Sequence, residues 1–311
     1  MQEKIKEKKM KYKEWLGIWL NNYVKTTCKA RTCNIYCYRI EHLIVPHLGE
    51  YEMRNLTLPI LQQFVTDLLH PSEGKPLSTN TVNGVISVVQ NSLKTAFVLG
   101  RLGVYDANKI RRPKTVEKKV ECLSTLEQKQ IEAHIKNSKK PKLYGIIICM
   151  YTGLRLGELL ALEWKNVDLN VCQLMVEKTC YYVNGQRIED APKTVNSLRS
   201  IPFPKQLLPL FKEMYKAHTT KYVIEANGKP LSVRSYQRSF ELLLNKLEIP
   251  HKGFHSLRHT FATRALECGM DVKTLAEILG HANPTVTLKR YAHSMLEYKV
   301  QMMNKLGKIF T

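Results

Sequence analysis

The chain has 311 residues, more than one ordinary hydrophobic core encloses, so two domains are expected. Its 48 Lys and Arg face only 27 Asp and Glu, a formal net charge of +21, which repels itself unless a polyanion offsets it and so points to nucleic acid or an anionic membrane surface. No apolar run approaches the roughly 18 residues that a membrane span needs, and Met1 to Lys13 mixes Lys with Glu, which argues for a cytoplasmic protein with no membrane partner.

From Tyr12 to about Arg112 the pattern is helical. Trp15, Ile18, Trp19 and Tyr23 recur at three- and four-residue intervals, as one buried stripe does. A second helix is expected from Ala30 to about Ile44, stopped by Pro46 and Gly49. A third follows Pro59 through Leu61, Phe64, Val65 and Leu68, ending before His70. Ser78 or Thr79 then caps a long fourth helix whose apolar face is Val82, Val85, Ile86, Val89, Leu93 and Phe97. The eight cysteines include no Cys-x-x-Cys pair. Cys28, Cys33 and Cys37 with His42 and His47 match no common zinc spacing, so they read as reduced thiols on a helix face and no metal is expected.

Lys109 to Lys119 is basic and poor in apolar residues, the texture of an interdomain linker. The domains are accordingly placed at 1–112 and 124–311, with a basic linker at 113–123. Ser124 with Glu127 forms a capping-box start for the next helix. A helix over Leu143 to Tyr151 is broken by Gly153, and another runs from Leu156 to Trp164. Val171 to Lys178 and Tyr181 to Ile188 alternate like strands, with Asn184-Gly185 as a hairpin turn. Arg187 to Lys193 and Leu198 to Ile201 suggest a second hairpin through Thr194 to Ser197. Helical periodicity resumes from Pro204 to the end, with Ser232 and Asp271 as caps. The fold class expected is a mostly α N-terminal bundle followed by an α+β domain with one small antiparallel sheet.

Several polar residues stand out. Arg155 opens a helix just after Gly153, and Glu158 follows one turn later, either orienting the guanidinium or merely solvated. His255 and Arg258 lie one turn apart, which suits an anionic oxygen but also an ordinary polar helix face; His259 sits off that face. Leu279-Gly280-His281 ends a helix, and Pro284 to Tyr291 opens another. Singly, each has a structural account, and a lone Tyr291 is ordinarily half-buried core.

In order, Arg155, Lys193, His255-x-x-Arg258, His281 and Tyr291 resemble the active-site set of the tyrosine recombinase or phage-integrase family. Thr152 to Trp164 looks like the family's first arginine motif and Ala191-Pro-Lys-Thr like its hairpin lysine. Phe254 to Thr263 looks like the second arginine motif, and Ile278 to Ala292 like the segment ending in the tyrosine. Residues 12 to 112 look like the SAM-like core-binding domain. The resemblance implies a site-specific recombinase that cuts and rejoins DNA through a 3′-phosphotyrosine. Arg155 and Arg258 would clamp the scissile phosphate, Tyr291 would attack, His255 would take its proton, Lys193 would protonate the leaving 5′ oxygen and His281 would donate to the phosphate.

The resemblance also implies no cofactor, neither ATP nor Mg²⁺, and as partner a double-stranded DNA with inverted-repeat core sites, gripped between the two domains as by a C-shaped clamp. It further implies a tetramer on paired sites, a tail from Ser294 to Phe310 that docks into a neighbouring protomer, and an accessory excision factor. Two departures stand out. Many relatives begin with a small arm-binding domain, whereas this chain starts almost directly at the core-binding helices, as in Xer-type enzymes or in a truncated piece. Arg199, a second cation on the same hairpin, competes with Lys193 for the lysine's role. Integration and excision of a mobile element is the favoured task. Xer-type dimer resolution, a non-catalytic DNA-binding protein and a type IB topoisomerase are the alternatives.

Overall fold

Aromatic residues at the start of the chain set the first core. In the computed structural model, which describes residues 10–115, 120–138, 140–191, 198–281, 283–285 and 296–309, the chain divides into two units, Met1–Lys118 and Lys119–Thr311. In the first, α1 (Tyr12–Trp19) buries Tyr12, Trp15, Leu16 and Trp19. Their polar atoms are satisfied on the long helix introduced below: the Tyr12 hydroxyl lies 2.6 Å from Ser92 Oγ, Trp15 Nε1 donates to Ser92 O at 3.1 Å and Trp19 Nε1 to Thr95 Oγ1 at 3.1 Å. Tyr23 does not join the stripe. A π-helical turn over Leu20–Val24 takes up one extra residue and rotates the face, so Val24 is buried and Tyr23 is exposed.

Helix α2 (Ala30–Arg39) likewise runs on through a π turn at Ile40–Ile44 into Val45–Leu48. Pro46 does not stop it, because it falls in the first turn of that last segment, where its missing N–H is not needed. Helix α3 (Leu58–Leu69) ends at His70 as expected, and α4 (Thr79–Val98) starts where Ser78 Oγ accepts from Thr81 N. The basic stretch after α4 is less free than its composition suggests. Arg112 donates to Asn83 O, Ser87 Oγ and Gln90 Oε1 on α4, Arg111 N to Gln62 Oε1 on α3, and Asn83 Nδ2 to Pro113 O. Residues 111–113 are thus strapped to the first unit.

The second unit starts at α5 (Thr125–Ser138), where Ser124 and Glu127 make both bonds of the predicted capping box, at 2.6 and 3.2 Å. Helix α6 (Tyr144–Thr152) is buried almost all round and forms the centre of this core. It is followed by α7 (Leu156–Ala161), three residues shorter than expected. Strands β1 (Val167–Asp168) and β2 (Gln173–Val176) come next, then β3 (Thr179–Val183) and β4 (Gln186–Asp190), joined through Asn184 and Gly185 at φ 49° and 79°, and then β5 (Arg199–Pro202).

The second hairpin is not formed as predicted. β5 pairs with β2, with Leu174 opposite Ile201 and Val176 opposite Arg199, while β4 pairs with β3. That register puts Leu174, Val176 and Ile201 on one buried face, a gain the half-buried β4 does not offer. The expected single sheet is therefore a three-stranded sheet, β1-β2-β5, beside the β3-β4 ribbon, with a third pair after α8 (Leu208–Ala217). This pair, β6 (Glu225–Ala226) and β7 (Lys229–Pro230), interrupts the helical run expected from Pro204; each strand is too short to show alternation.

Helices α9 (Val233–Lys246), α10 (Ser256–Glu267) and α11 (Val272–Leu279) follow, with Ser232 and Asp271 capping as predicted. Helix α12 (Leu296–Gly307) lies against α10, and Val300, Met303, Leu306 and Ile309 are exposed.

Candidate active site

The site grows from the turn between α6 and α7. Gly153 ends α6 at φ 66°, a left-handed conformation suited to glycine. A Cβ there would stand 2.5 Å from the Phe261 ring and 2.9 Å from Leu279 Cδ2, so the missing side chain is what lets α10 and α11 close on the turn. Arg155 then takes an extended conformation as the N-cap of α7. Its backbone N–H donates to Glu158 Oε2 at 2.9 Å and its Nη1 to Oε1 at 2.7 Å. Glu158 orients the arginine and is not a solvated partner, being itself 5 % exposed.

Arg199, from β5, faces Glu158 in a two-pronged ion pair, Nη2 to Oε2 at 2.9 Å and Nη1 to Oε1 at 3.2 Å. Its Nε donates to Ile278 O at 2.5 Å. The side chain fits because Gly280 offers no Cβ, which would lie 3.1 Å from the Arg199 Cδ. Burial alone would raise the Glu158 carboxyl, but the hydrogen bonds and charge of Arg199, with Arg155 behind them, outweigh it and hold the group at about 2.

The folded value lies below the ordinary 4.5, so the pair's stabilisation is complete above about pH 4.5 and is lost as pH falls toward 2. Glu158→Gln should accordingly be less stable than wild type in urea unfolding at pH 7, with the difference closing below pH 4.5. A gap that stays constant to pH 3 would contradict the ion pair.

Arg258, on α10, is 2 % exposed. Its Nη1 donates to Gly153 O at 2.8 Å and its Nη2 to Leu279 O at 2.6 Å, with His281 Nε2 3.0 Å from Nη2. A guanidinium has no acceptor, so Nε2 accepts in this contact and the ring proton sits on Nδ1. His281 is set by the end of α11: Gly280 turns left-handed at φ 65° and His281 N donates to Ala276 O at 2.9 Å. His255 stands exposed just before α10, its ring 4.6 Å from that of His259 and edge-on to it. His259 is thus the packing neighbour of His255.

Arg155 and Glu158 are therefore linked through Arg199 and the 278–281 backbone to Arg258 and His281, while His255, one turn before Arg258, is exposed. Lys193 and Tyr291 lie outside the described residues. Arg199 was read from sequence as a competitor for the lysine's role. Its burial against Glu158 gives it a different one, and only its position on a strand beside a buried-facing Ile201 hinted at this. Among the described residues no group of His, Cys, Asp and Glu is placed to hold a metal ion.

Four other tyrosines of this unit are poorly suited to ionise. Burial pushes Tyr236 well up, and burial followed by the Glu132 carboxylate raises Tyr151 to about 12. Burial first, and then their own acceptors, raise Tyr144 and Tyr222, which donate to Glu213 at 2.9 Å and Glu189 at 2.7 Å. Tyr181 donates to Asp190 at 2.6 Å.

Comparison with known proteins follows the same lines. A model described as the phage integrase family matches residues 124–297, and one described as the phage integrase N-terminal SAM-like domain matches residues 11–69. A XerC-like tyrosine recombinase of Caldanaerobacter subterraneus is 31% identical over 220 residues, covering 63% of this chain and 56% of that protein. The chain thus spans little more than half of that relative's length. The ICEBs1 integrase of Bacillus subtilis is 24% identical over 296 residues, 91% of this chain and 80% of the relative. In fold, the chain is similar to the Tn1549 transposon integrase solved with a circular intermediate DNA, with a TM-score of 0.80 at 22% identity, covering 96% of this chain and 99% of that one.

Proposed function

Because the chain belongs to the phage integrase family, we propose that it is a site-specific DNA recombinase acting through a 3′-phosphotyrosine at Tyr291, and that its task is integration and excision of a mobile element. One observation carries most of this reading. Arg258 is held on the carbonyls of Gly153, 105 residues before it, and Leu279, 21 residues after it, and against His281, so three separate motifs are built around one buried guanidinium. A structural arginine has no need of a second, half-exposed arginine two residues beyond the carbonyl it binds; a phosphate does.

The chemistry then follows from charge. Attack on phosphorus adds negative charge to the non-bridging oxygens, and Arg155 and Arg258 meet it with fixed donors. The Tyr291 Oη–P bond forms as the bond from phosphorus to the 5′ oxygen breaks. The phenol proton passes to His255, and the Lys193 ammonium protonates the departing oxygen. His281 assists at the phosphate, where its accepting contact with Arg258 must give way before Nε2 can donate. A 5′ hydroxyl from another strand reverses the step, and since one phosphoester replaces another, no ATP and no Mg²⁺ are required.

The mobile-element task rests on likeness to the ICEBs1 and Tn1549 integrases. Xer-type resolution is the second reading, favoured by the 31% identity to the XerC-like protein. The DNA partner is a duplex with inverted-repeat core sites, bound by a tetramer in the cytoplasm, with an excision factor as accessory. The domains are those placed at 1–112 and 124–311, and the exposed apolar residues of α12 suit a tail that docks on a neighbouring protomer.

The test is adduct formation on nicked duplexes taken from the DNA flanking the gene. The expected product is a detergent-stable protein–DNA species whose digest carries the phosphate on Tyr291. An adduct on another residue, or none from any flanking DNA, overturns the assignment. Relaxation of any supercoiled plasmid, whatever its sequence, would instead mark a topoisomerase.

A further inference from the structure

Arg199 does more than neutralise Glu158. We infer that it is a positioning residue for strand cleavage, which sets Arg155 and the His281 turn relative to each other. The inference rests on the strand-transfer reading. Three contacts carry it. Through Glu158, whose Oε1 is shared by Arg199 Nη1 at 3.2 Å and Arg155 Nη1 at 2.7 Å, Arg199 fixes the carboxylate that aims Arg155. Through Nε it holds Ile278 O, the carbonyl next to the Leu279 O that binds Arg258. Through Gly280 it packs against the turn that presents His281.

One buried side chain on β5 therefore spans both supports of the phosphate site. A planar fork with three nitrogens can do this; a point-charge ammonium reaches only one of the two acceptors. If the residue served only to balance a buried charge, Lys would replace it.

The consequence is kinetic. With methionine at 199, Glu158 keeps only Arg155 as partner and draws its guanidinium inward, while the 278–281 turn loses its anchor. DNA binding depends on many phosphate contacts and changes little, whereas the chemical step depends on two guanidiniums being in place.

Single-turnover adduct formation at saturating protein, on the nicked substrate described above, separates the cases. Arg199→Met and Arg199→Lys should each slow adduct formation by about 10- to 100-fold, the usual cost of removing a group that orients a functional side chain, with DNA affinity within about threefold of wild type. Arg199→Lys should regain stability in urea without regaining rate. Leu243→Ala, a core change on α9 at a buried residue that makes none of the site's hydrogen bonds given above, controls for stability and should leave the rate of the folded protein unchanged. Wild-type rates in Arg199→Lys, or equal slowing by Leu243→Ala, overturn the inference. If wild type itself forms no adduct, it is the recombinase reading that fails.

Discussion

Tyr291→Phe is expected to bind its DNA site as wild type does and to form no covalent adduct at any time of incubation. The substitution removes one oxygen and keeps the ring, so only the nucleophile is lost. A single hydroxyl typically contributes about 1 kcal/mol, or roughly fivefold in affinity. Adduct formation, by contrast, finds no ready substitute in four other tyrosines of the second unit. Tyr236 is in the core, and the hydroxyls of Tyr144, Tyr181 and Tyr222 donate hydrogen bonds to carboxylates. Each would have to ionise against burial or beside a negative charge, starting from a phenol whose ordinary pKa is near 10. Water could still attack a clamped phosphate, but that yields a nick without a protein attached, and a denaturing gel resolves the two. A Tyr291→Phe protein that still becomes covalently joined to DNA would remove Tyr291 from the mechanism.

What could be read from the sequence depended on how local the cause was. Caps at Ser78, Ser124, Ser232 and Asp271 lie within a few residues of the groups they satisfy, and the structure has each of them. The Asn184-Gly185 turn is equally local. Tyr23 was misread because it lies in a π turn that shifts register by one residue, and Pro46 because a π turn just before it opens a new first turn, which no apolar periodicity announces. The pairing of β5 with β2 is a long-range choice, decided by which edge lets Ile201 reach the core. Asn227-Gly228 carried the same turn signal as the first hairpin, but its flanking strands of two residues each hid it.

In the site, the order of motifs pointed to Arg155, Arg258 and His281, because each has a local signature. Arg199 has none: its meaning comes from Glu158 and Ile278, 41 and 79 residues away.

Arg258 and Arg155 should prove alike in chemistry and unlike in stability. Arg258→Ala removes one of the two guanidiniums proposed to clamp the phosphate, and the loss of one preorganised donor costs about 10²- to 10³-fold in the chemical step. It also leaves the carbonyls of Gly153 and Leu279 without their donors in a buried place, at about 1–3 kcal/mol for each unsatisfied group. The folded fraction should therefore fall together with the rate of the molecules that remain folded. Arg258→Lys retains a charge but cannot hold two diverging carbonyls and a phosphate, so it should recover part of the stability and little of the rate.

Arg155 is different, because its side chain is 36% exposed and its partner Glu158 keeps Arg199. Arg155→Ala should slow cleavage as severely as Arg258→Ala while unfolding within about 1 kcal/mol of wild type. Urea titration with circular dichroism gives the stability, and single-turnover adduct formation corrected for folded fraction gives the rate. Arg258→Ala, once folded, cleaving within tenfold of wild type would show that its guanidinium serves the protein interior and not the phosphate.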